Sequence, residues 1–147
     1  MSEPAKPGPA DAFVLAAVAC GGGLGAGLRY WLALRIPARP GTIPWATLLA
    51  NTIGCLAIGV LMVLITEVWS PHRLIRPFLG VGVLGGFTTF SSYSSEVRTL
   101  LGSGATGTAL GYLGGTVVVC LSAVAAGTGT TRWIARRRGG PARYGTS

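Results

Sequence analysis

The residues with the clearest chemical potential form a run of hydroxyl side chains in the middle of the chain. Residues 85–95 read GGFTTFSSYSS, and Gly, Ser and Thr are poor helix formers whose hydroxyls compete for backbone hydrogen bonds. At membrane depth such a run favours a broken helix, whose freed carbonyls must be buried in protein or face a cavity or an ion. A continuous helix that packs its hydroxyls against neighbours is the alternative, and the residues alone leave both open.

Other polar residues lie inside apolar runs. Asn51 falls at mid-run, where an amide is costly unless it is paired or faces water, and Thr47 precedes it by one helical turn on the same face. An interhelical hydrogen bond is the alternative explanation for Asn51. Tyr112, Thr116 and Cys120 follow one another at intervals of four residues, so two hydroxyls lie along one helical stripe.

These polar residues supply hydrogen-bond donors rather than acids. Glu67 and Glu96 fall toward the ends of apolar runs, and Asp11 precedes the first run. A path that is rich in neutral donors and poor in acids suits a small anion, and the positive rim of a Phe ring can add to it. The same path disfavours a proton-coupled cation exporter, which needs a central acid as a relay.

The composition places these residues in a membrane. The 147 residues are 50% hydrophobic and 11% charged, with 24 glycines and a mean hydropathy of +0.57. A soluble domain carries about 25% charged residues, so this chain cannot build a polar shell, and a disordered chain needs lower hydrophobicity. The sequence therefore predicts neither a soluble enzyme nor a disordered protein.

The apolar runs predict an all-α integral membrane protein with four transmembrane helices, the third broken at mid-membrane. A disordered N-terminal tail is expected over 1–11, a four-helix membrane domain over 12–134, and a basic C-terminal tail over 135–147. The four predicted helices span residues 12–34, 45–68, 77–101 and 105–134. Tryptophans mark the predicted helix ends, as an aromatic belt requires: Trp31, Trp45, Trp69 and Trp133. Three pairs of glycines predict close helix packing: Gly21/Gly25, Gly23/Gly27 and Gly111/Gly115.

The basic residues are divided unequally between the two predicted sides of the membrane. The net charge is +8, and four spans place both termini on one side together with the loop after the second helix. That side carries eight basic residues, against only Arg35 and Arg39 on the other, which predicts cytoplasmic termini. A nucleic-acid- or lipid-binding patch is the alternative, but the basic residues flank apolar runs instead of sharing one face.

The segment GGFTTFSSYS, with GAGLRYW upstream and NTIG in the second run, closely resembles the small bacterial fluoride channels of the Fluc, or CrcB, family. The resemblance extends from the first predicted helix to the fourth. It implies an antiparallel dual-topology dimer of four-helix subunits in the cell membrane, with two fluoride pores per dimer. The implied function is passive export of fluoride, which lowers fluoride in the cytoplasm.

The resemblance also assigns residues. It implies that Asn51 lines the pore and that Phe90 is the first of two phenylalanines whose ring edges face fluoride, with Tyr93 where the second is usual. It implies that backbone carbonyls at Gly85 and Thr88, from both subunits, hold a structural sodium ion that is not transported.

Further positions complete the implied pore. Tyr112 and Thr116 match a track of hydroxyls, Cys120 replaces its usual third member, and Thr47 is expected to line the pore with them. Arg29 matches an arginine near the vestibule.

The partner subunit is the open point of this prediction. An antiparallel homodimer needs the same chain in both orientations, and the basic residues of this chain favour one. We therefore expect an oppositely oriented paralogue as the second subunit, with a homodimer as the alternative. Fluoride, sodium and lipid are the other expected partners, and no nucleic acid is. Two other functions are alternatives: a small four-helix proton-coupled multidrug exporter, which needs a carboxylate that residues 13–34 do not supply, and a membrane scaffold with a binding tail.

Overall fold

The computed structural model describes residues 9–68 and 73–138, in which every regular element is helical. Helix α1 spans Pro9–Arg35. Helix α2 spans Trp45–Val63, and π-helical turns continue it over Leu64–Val68. Lys6, Trp69 and Arg143 lie outside the described residues, as do most of the predicted N-terminal tail and the end of the C-terminal one.

Two further segments follow the loop after α2. Element α3 consists of π-helical turns over Arg76–Leu84 and one α-helical turn at Gly85–Phe87. Helix α4 spans Phe90–Gly102, and the left-handed Gly104 (φ +78°) turns the chain toward α5, which spans Thr106–Arg138.

Two helices reach into the regions that were predicted to be disordered tails. Helix α1 already begins at Pro9, and Asp11 in its first turn is favourable beside the positive end of the helix dipole. Helix α5 continues to Arg138. Arginine is a good helix former and is favourable near a helix C-terminus, so the basic run extends the helix instead of ending it.

Three of the helices are long and apolar enough to cross a membrane. They cover residues 11–35, 45–68 and 106–137 of the described chain. On their outer faces, many large apolar side chains are more than half exposed, among them Phe13, Leu24 and Leu121. Water does not favour such faces, whereas lipid does, so the chain is an all-helical membrane protein.

The chain between α3 and α4 is extended at two residues. Thr88 has φ −80° and ψ 153°, and Thr89 has φ −150° and ψ 124°. The Thr89 hydroxyl accepts a hydrogen bond from the Ser92 N–H at 3.2 Å and so caps the start of α4. With 13 residues, α4 is too short to cross a bilayer alone.

Glycines bring α1 into backbone contact with α3. A Cβ placed on Gly21 would lie 2.5 Å from the carbonyl oxygen of Phe78, and one on Gly25 would collide with the backbone of Val83. This confirms close packing for the first predicted glycine pair. For the pairs Gly23/Gly27 and Gly111/Gly115, no other helix of the described chain comes within 4 Å of such a Cβ.

Helices α2 and α5 run side by side in the same direction. A Cβ on Gly59 would lie 2.5 Å from the carbonyl oxygen of Val124, and farther along, Arg132 pairs with Glu67 at 2.7 Å. The contacts advance together along both helices, which fixes their parallel register. The buried cluster between α4 and α5 comprises Tyr93, Val97, Leu100, Ala109 and Tyr112.

Candidate functional site

Asn51 closes the backbone where α3 and α4 are interrupted. Its Nδ2 donates to the Thr89 carbonyl at 3.1 Å, and its Oδ1 accepts from the Thr89 N–H at 2.8 Å. One side chain thereby binds both backbone groups of an extended residue, including the N–H that no helix serves. The interhelical hydrogen bond, one of the two explanations for Asn51, is present. An amide nitrogen carries two N–H groups, and this contact uses one of them.

A carboxylate lies among the predicted pore residues. Thr47 Oγ1 donates to Glu96 Oε1 at 2.6 Å, and the Tyr112 hydroxyl donates to Glu96 Oε2 at 2.7 Å. The structure therefore corrects the interpretation of Glu96 as a residue at a segment end, remote from the donor path. Its position three residues after Tyr93 was the available signal, because it places the two on adjacent parts of one helical face.

The aromatic side chains of α4 and α5 form a short row. The ring centroids of Phe90 and Tyr93 lie 5.8 Å apart, and those of Tyr93 and Tyr112 lie 5.3 Å apart, with tilted planes in both pairs. The Tyr93 hydroxyl donates to the Leu113 carbonyl at 2.6 Å, so it is occupied within the chain. Phe90, at the outer end, is 78% exposed.

Thr116 is the unpartnered member of the hydroxyl stripe. Its side chain is 5% exposed, and its Oγ1 has no hydrogen-bond partner in the described chain. A buried hydroxyl without a partner costs about 1–3 kcal/mol. Such a group in a native structure calls for an occupant of the adjoining space.

That space is a groove of about 440 Å³. It brings together six of the predicted site residues: Asn51, Gly85, Thr88, Phe90, Tyr93 and Thr116. Thr47, Tyr112 and Arg29 do not line it. Cys55 and Cys120 do, and sequence reasoning missed Cys55. Its spacing of one helical turn from Asn51 was the signal.

Arg29 contacts the backbone just before the interruption. Its Nε donates to the Gly86 carbonyl at 3.3 Å, and Gly86 itself packs against the Gly22 backbone so closely that a Cβ there would collide. The arginine therefore holds the α1–α3 contact where α3 ends.

The residues near Gly85 fit the chemistry of a hard cation. In a continuous helix the Gly85 carbonyl would accept from the Thr89 N–H, but that N–H donates to Asn51. A carbonyl oxygen relieved of its helical donor is the ligand that a hard cation prefers. No atom lies within 4 Å of a Cβ placed on Gly85, and both Gly85 and Thr88 line the groove.

The fold and the groove define a class: an all-helical membrane protein with hydrogen-bond donors in a groove between its helices. The family profile described as "CrcB-like protein, Camphor Resistance (CrcB)" matches residues 16–128. The chain belongs to the CrcB family, which confirms the resemblance carried by GGFTTFSSYS.

Similar proteins bear a functional name. The Nocardia farcinica protein "Fluoride-specific ion channel FluC 2" is 59% identical over 133 residues, which are 90% of this chain and 95% of that protein. A Streptomyces avermitilis protein of the same name is 53% identical over 104 residues, 71% and 66% of the two chains. "Fluoride-specific ion channel FluC 1" of Streptomyces coelicolor is 50% identical over 124 residues, 84% and 78% of the two chains.

Proposed function

We propose that the chain is a fluoride-specific ion channel of the cell membrane that exports fluoride passively and so lowers its cytoplasmic concentration. The observation that carries the proposal is the buried, unpartnered hydroxyl of Thr116, a residue that lines the same groove as Asn51. The family, and the names of relatives up to 59% identical, support fluoride as the ion.

The groove offers donors that suit a small, strongly hydrated anion. A fluoride ion gives up its water only where several donors replace it together. The second N–H of Asn51, the hydroxyl of Thr116 and the edge of the exposed Phe90 ring are available on one wall. Glu96 occupies Thr47 and Tyr112, so we place these two hydroxyls at the end of the path, where an anion meets them only by displacing the carboxylate.

The third segment is proposed as the fourth membrane crossing. Elements α3 and α4 together run from Arg76 to Gly102, a length that spans a bilayer at 1.5 Å per residue. The extended Thr88 and Thr89 then lie near mid-membrane, where their polar backbone must be satisfied internally. The double hydrogen bond of Asn51 to Thr89 supports this placement.

A second subunit in antiparallel orientation is proposed to complete the pores. Phe90 is 78% exposed, and the glycine pairs Gly23/Gly27 and Gly111/Gly115 meet no other helix within the described residues, so these faces are proposed as the contact surface for the partner. Structural sodium would be held by the carbonyls of Gly85 and Thr88 from both subunits. A paralogue is favoured over a second copy, because eight basic residues against two orient this chain with cytoplasmic termini.

Fluoride efflux from proteoliposomes that hold this chain together with its co-expressed, oppositely oriented partner tests the function. We expect Asn51→Asp and Phe90→Ile to reduce fluoride efflux at least tenfold. The matched control is Thr52→Ala on the same helix, because the Thr52 hydroxyl donates to the Leu48 carbonyl of its own turn and faces no ion. Unchanged efflux in both site variants would refute the pore assignment.

The partner proposal has its own test. The purified chain alone should give little efflux, and co-expression with an oppositely oriented family member should restore it. Robust sodium-dependent efflux from the chain alone would instead identify a homodimer.

A further inference from the structure

Residues of α2 and α5 pair at regular intervals along the two helices, and each such pair is here called a rung. The two cysteines of the groove form one rung. The Glu67–Arg132 ion pair joins residues 65 positions apart, and the same separation recurs at three levels along the two helices: Thr47 and Tyr112, Asn51 and Thr116, and Cys55 and Cys120. The first two levels carry the hydrogen-bond donors of the site. The third level carries a pair of thiols.

The thiols of this rung are neighbours. Cys55 and Cys120 interact electrostatically, and both line the groove. Their proximity follows from the close approach of α2 and α5 one turn farther along, where Gly59 lies against the Val124 backbone. Cys20, the remaining cysteine, is exposed on α1. Two facing thiols on rigid helices are a preorganised pair of soft ligands.

The surroundings restrict which cation the pair can take. In the described chain, no group of three or more His, Cys, Asp or Glu side chains is placed to hold a metal, so a tetrahedral Zn²⁺ site lacks ligands. A monovalent soft cation between two thiolates leaves a negative charge in an apolar groove, which is costly. A divalent soft cation that prefers two ligands gives a neutral unit.

We propose that Cys55 and Cys120 form a two-thiolate binding site for a thiophilic divalent cation of low coordination number, represented by Hg²⁺, on the wall of the groove. Binding breaks two S–H bonds and forms two Hg–S bonds. Two protons leave to solvent, and no electrons are transferred. Because the rung is in line with Asn51 and Thr116, the bound cation obstructs the groove, a consequence that rests on the proposed function.

Retention of mercury against a competing monothiol tests the site. The full chain with Cys20→Ser is reduced, desalted, given one equivalent of HgCl₂ and passed through a column in excess 2-mercaptoethanol. We expect about one Hg²⁺ per chain to remain, because the second Hg–S bond is intramolecular and has an effective concentration of at least millimolar. In the same background, Cys55→Ser and Cys120→Ser should each retain at least tenfold less. Equal retention by the single-thiol variants would overturn the proposal.

A measurement on the parent protein removes the dependence on variants that fold poorly. One equivalent of Hg²⁺ should protect both Cys55 and Cys120 from maleimide in the Cys20→Ser chain, as measured by mass spectrometry of the labelled protein. Labelling of one thiol per chain at that stoichiometry would show two independent thiols and would overturn the site.

Fluoride efflux then separates the site from its consequence, measured in vesicles that hold each variant together with its co-expressed, oppositely oriented partner. Metal-loaded Cys20→Ser vesicles should lose at least tenfold of their efflux and recover it with a dithiol, whereas vesicles with Cys20→Ser/Cys55→Ser should not respond. Retained metal with unchanged efflux would overturn the position of the rung on the ion path. Absence of efflux from the co-expressed pair before any metal is added would contradict the proposed function and leave the binding result standing.

Discussion

The hydrogen bonds between Asn51 and Thr89 give the sharpest prediction, because one side chain closes a break in the backbone. Asn51→Leu keeps the approximate size of the side chain and removes both hydrogen bonds to Thr89. The Thr89 N–H is left without a partner, which costs about 1–3 kcal/mol, whereas the carbonyl loses one bond worth about 0.5–1.5 kcal/mol and keeps its place at the N-cap of α4. We therefore expect the free energy of unfolding in detergent to fall by about 1.5–4.5 kcal/mol.

Hydrogen–deuterium exchange locates the effect. The Thr89 amide donates to Asn51 Oδ1 at 2.8 Å, and loss of about 1–3 kcal/mol at this bond speeds its exchange by about 5- to 150-fold, at a factor of ten per 1.4 kcal/mol. Thr52→Val is the control, since that hydroxyl bonds within its own helix. If Thr89 exchanges no faster in Asn51→Leu than in the control, the amide does not hold the interruption and the reasoning fails.

Asn51→Asp separates the two hydrogen bonds. The introduced carboxylate still accepts from the Thr89 N–H. It cannot donate to the Thr89 carbonyl, because a carboxylate oxygen replaces the amide nitrogen that lies 3.1 Å from that carbonyl in the parent chain. We expect stability to fall while the Thr89 amide stays protected. Equal exchange at Thr89 in the Asp and Leu variants would contradict the assignment of donor and acceptor.

Three further variants test the packing and the polar contacts. Tyr112→Phe removes a charge-assisted hydrogen bond to Glu96 and should lower the free energy of unfolding by about 1.5–3 kcal/mol; an unchanged melting temperature would contradict this. Gly25→Ala drives a methyl group into backbone and should cost about 1–3 kcal/mol, whereas Gly22→Ala on the same helix meets open space and should not destabilise, so equal melting temperatures would refute the α1–α3 contact. Arg132→Met removes an exposed ion pair and should cost under about 1 kcal/mol in denaturant titrations at any salt concentration, since such pairs contribute little; a larger loss would show that the pair is not solvent-screened.

Local patterns predicted the helical class and some of the contacts. Small residues four apart required a close neighbour, and Gly21 and Gly25 have one in α3. An amide inside an apolar run required a partner, and Asn51 has one in Thr89. In each case, leaving the residue without a partner would cost enough free energy that the residue type and its spacing alone predict a contact.

Contacts between distant segments could not be predicted in the same way. The sequence prediction for Glu96 used only its position toward the end of an apolar run. The hydrogen-bond partners of Glu96 depend instead on how α4 packs against α2 and α5. The residue type of Cys55 gave no signal, since a small thiol in an apolar run is ordinary core, and only its spacing from Asn51 pointed to the groove. Its meaning depends on the register of α2 against α5, a property of two helices together.

Asn51 both satisfies the interrupted backbone at Thr89 and supplies a hydrogen-bond donor to the groove. An amide that serves both the N–H and the carbonyl of Thr89 commits its oxygen and one N–H, and its geometry leaves the other N–H as a fixed donor. Because the oxygen is held by the Thr89 N–H, the side chain is fixed in one orientation and its free N–H is a fixed donor. The unpartnered hydroxyl of Thr116 lies in the same groove. The interruption at Thr88 and Thr89 therefore does more than break a helix: it fixes the polarity of the side chain that closes it, and that polarity favours an anion.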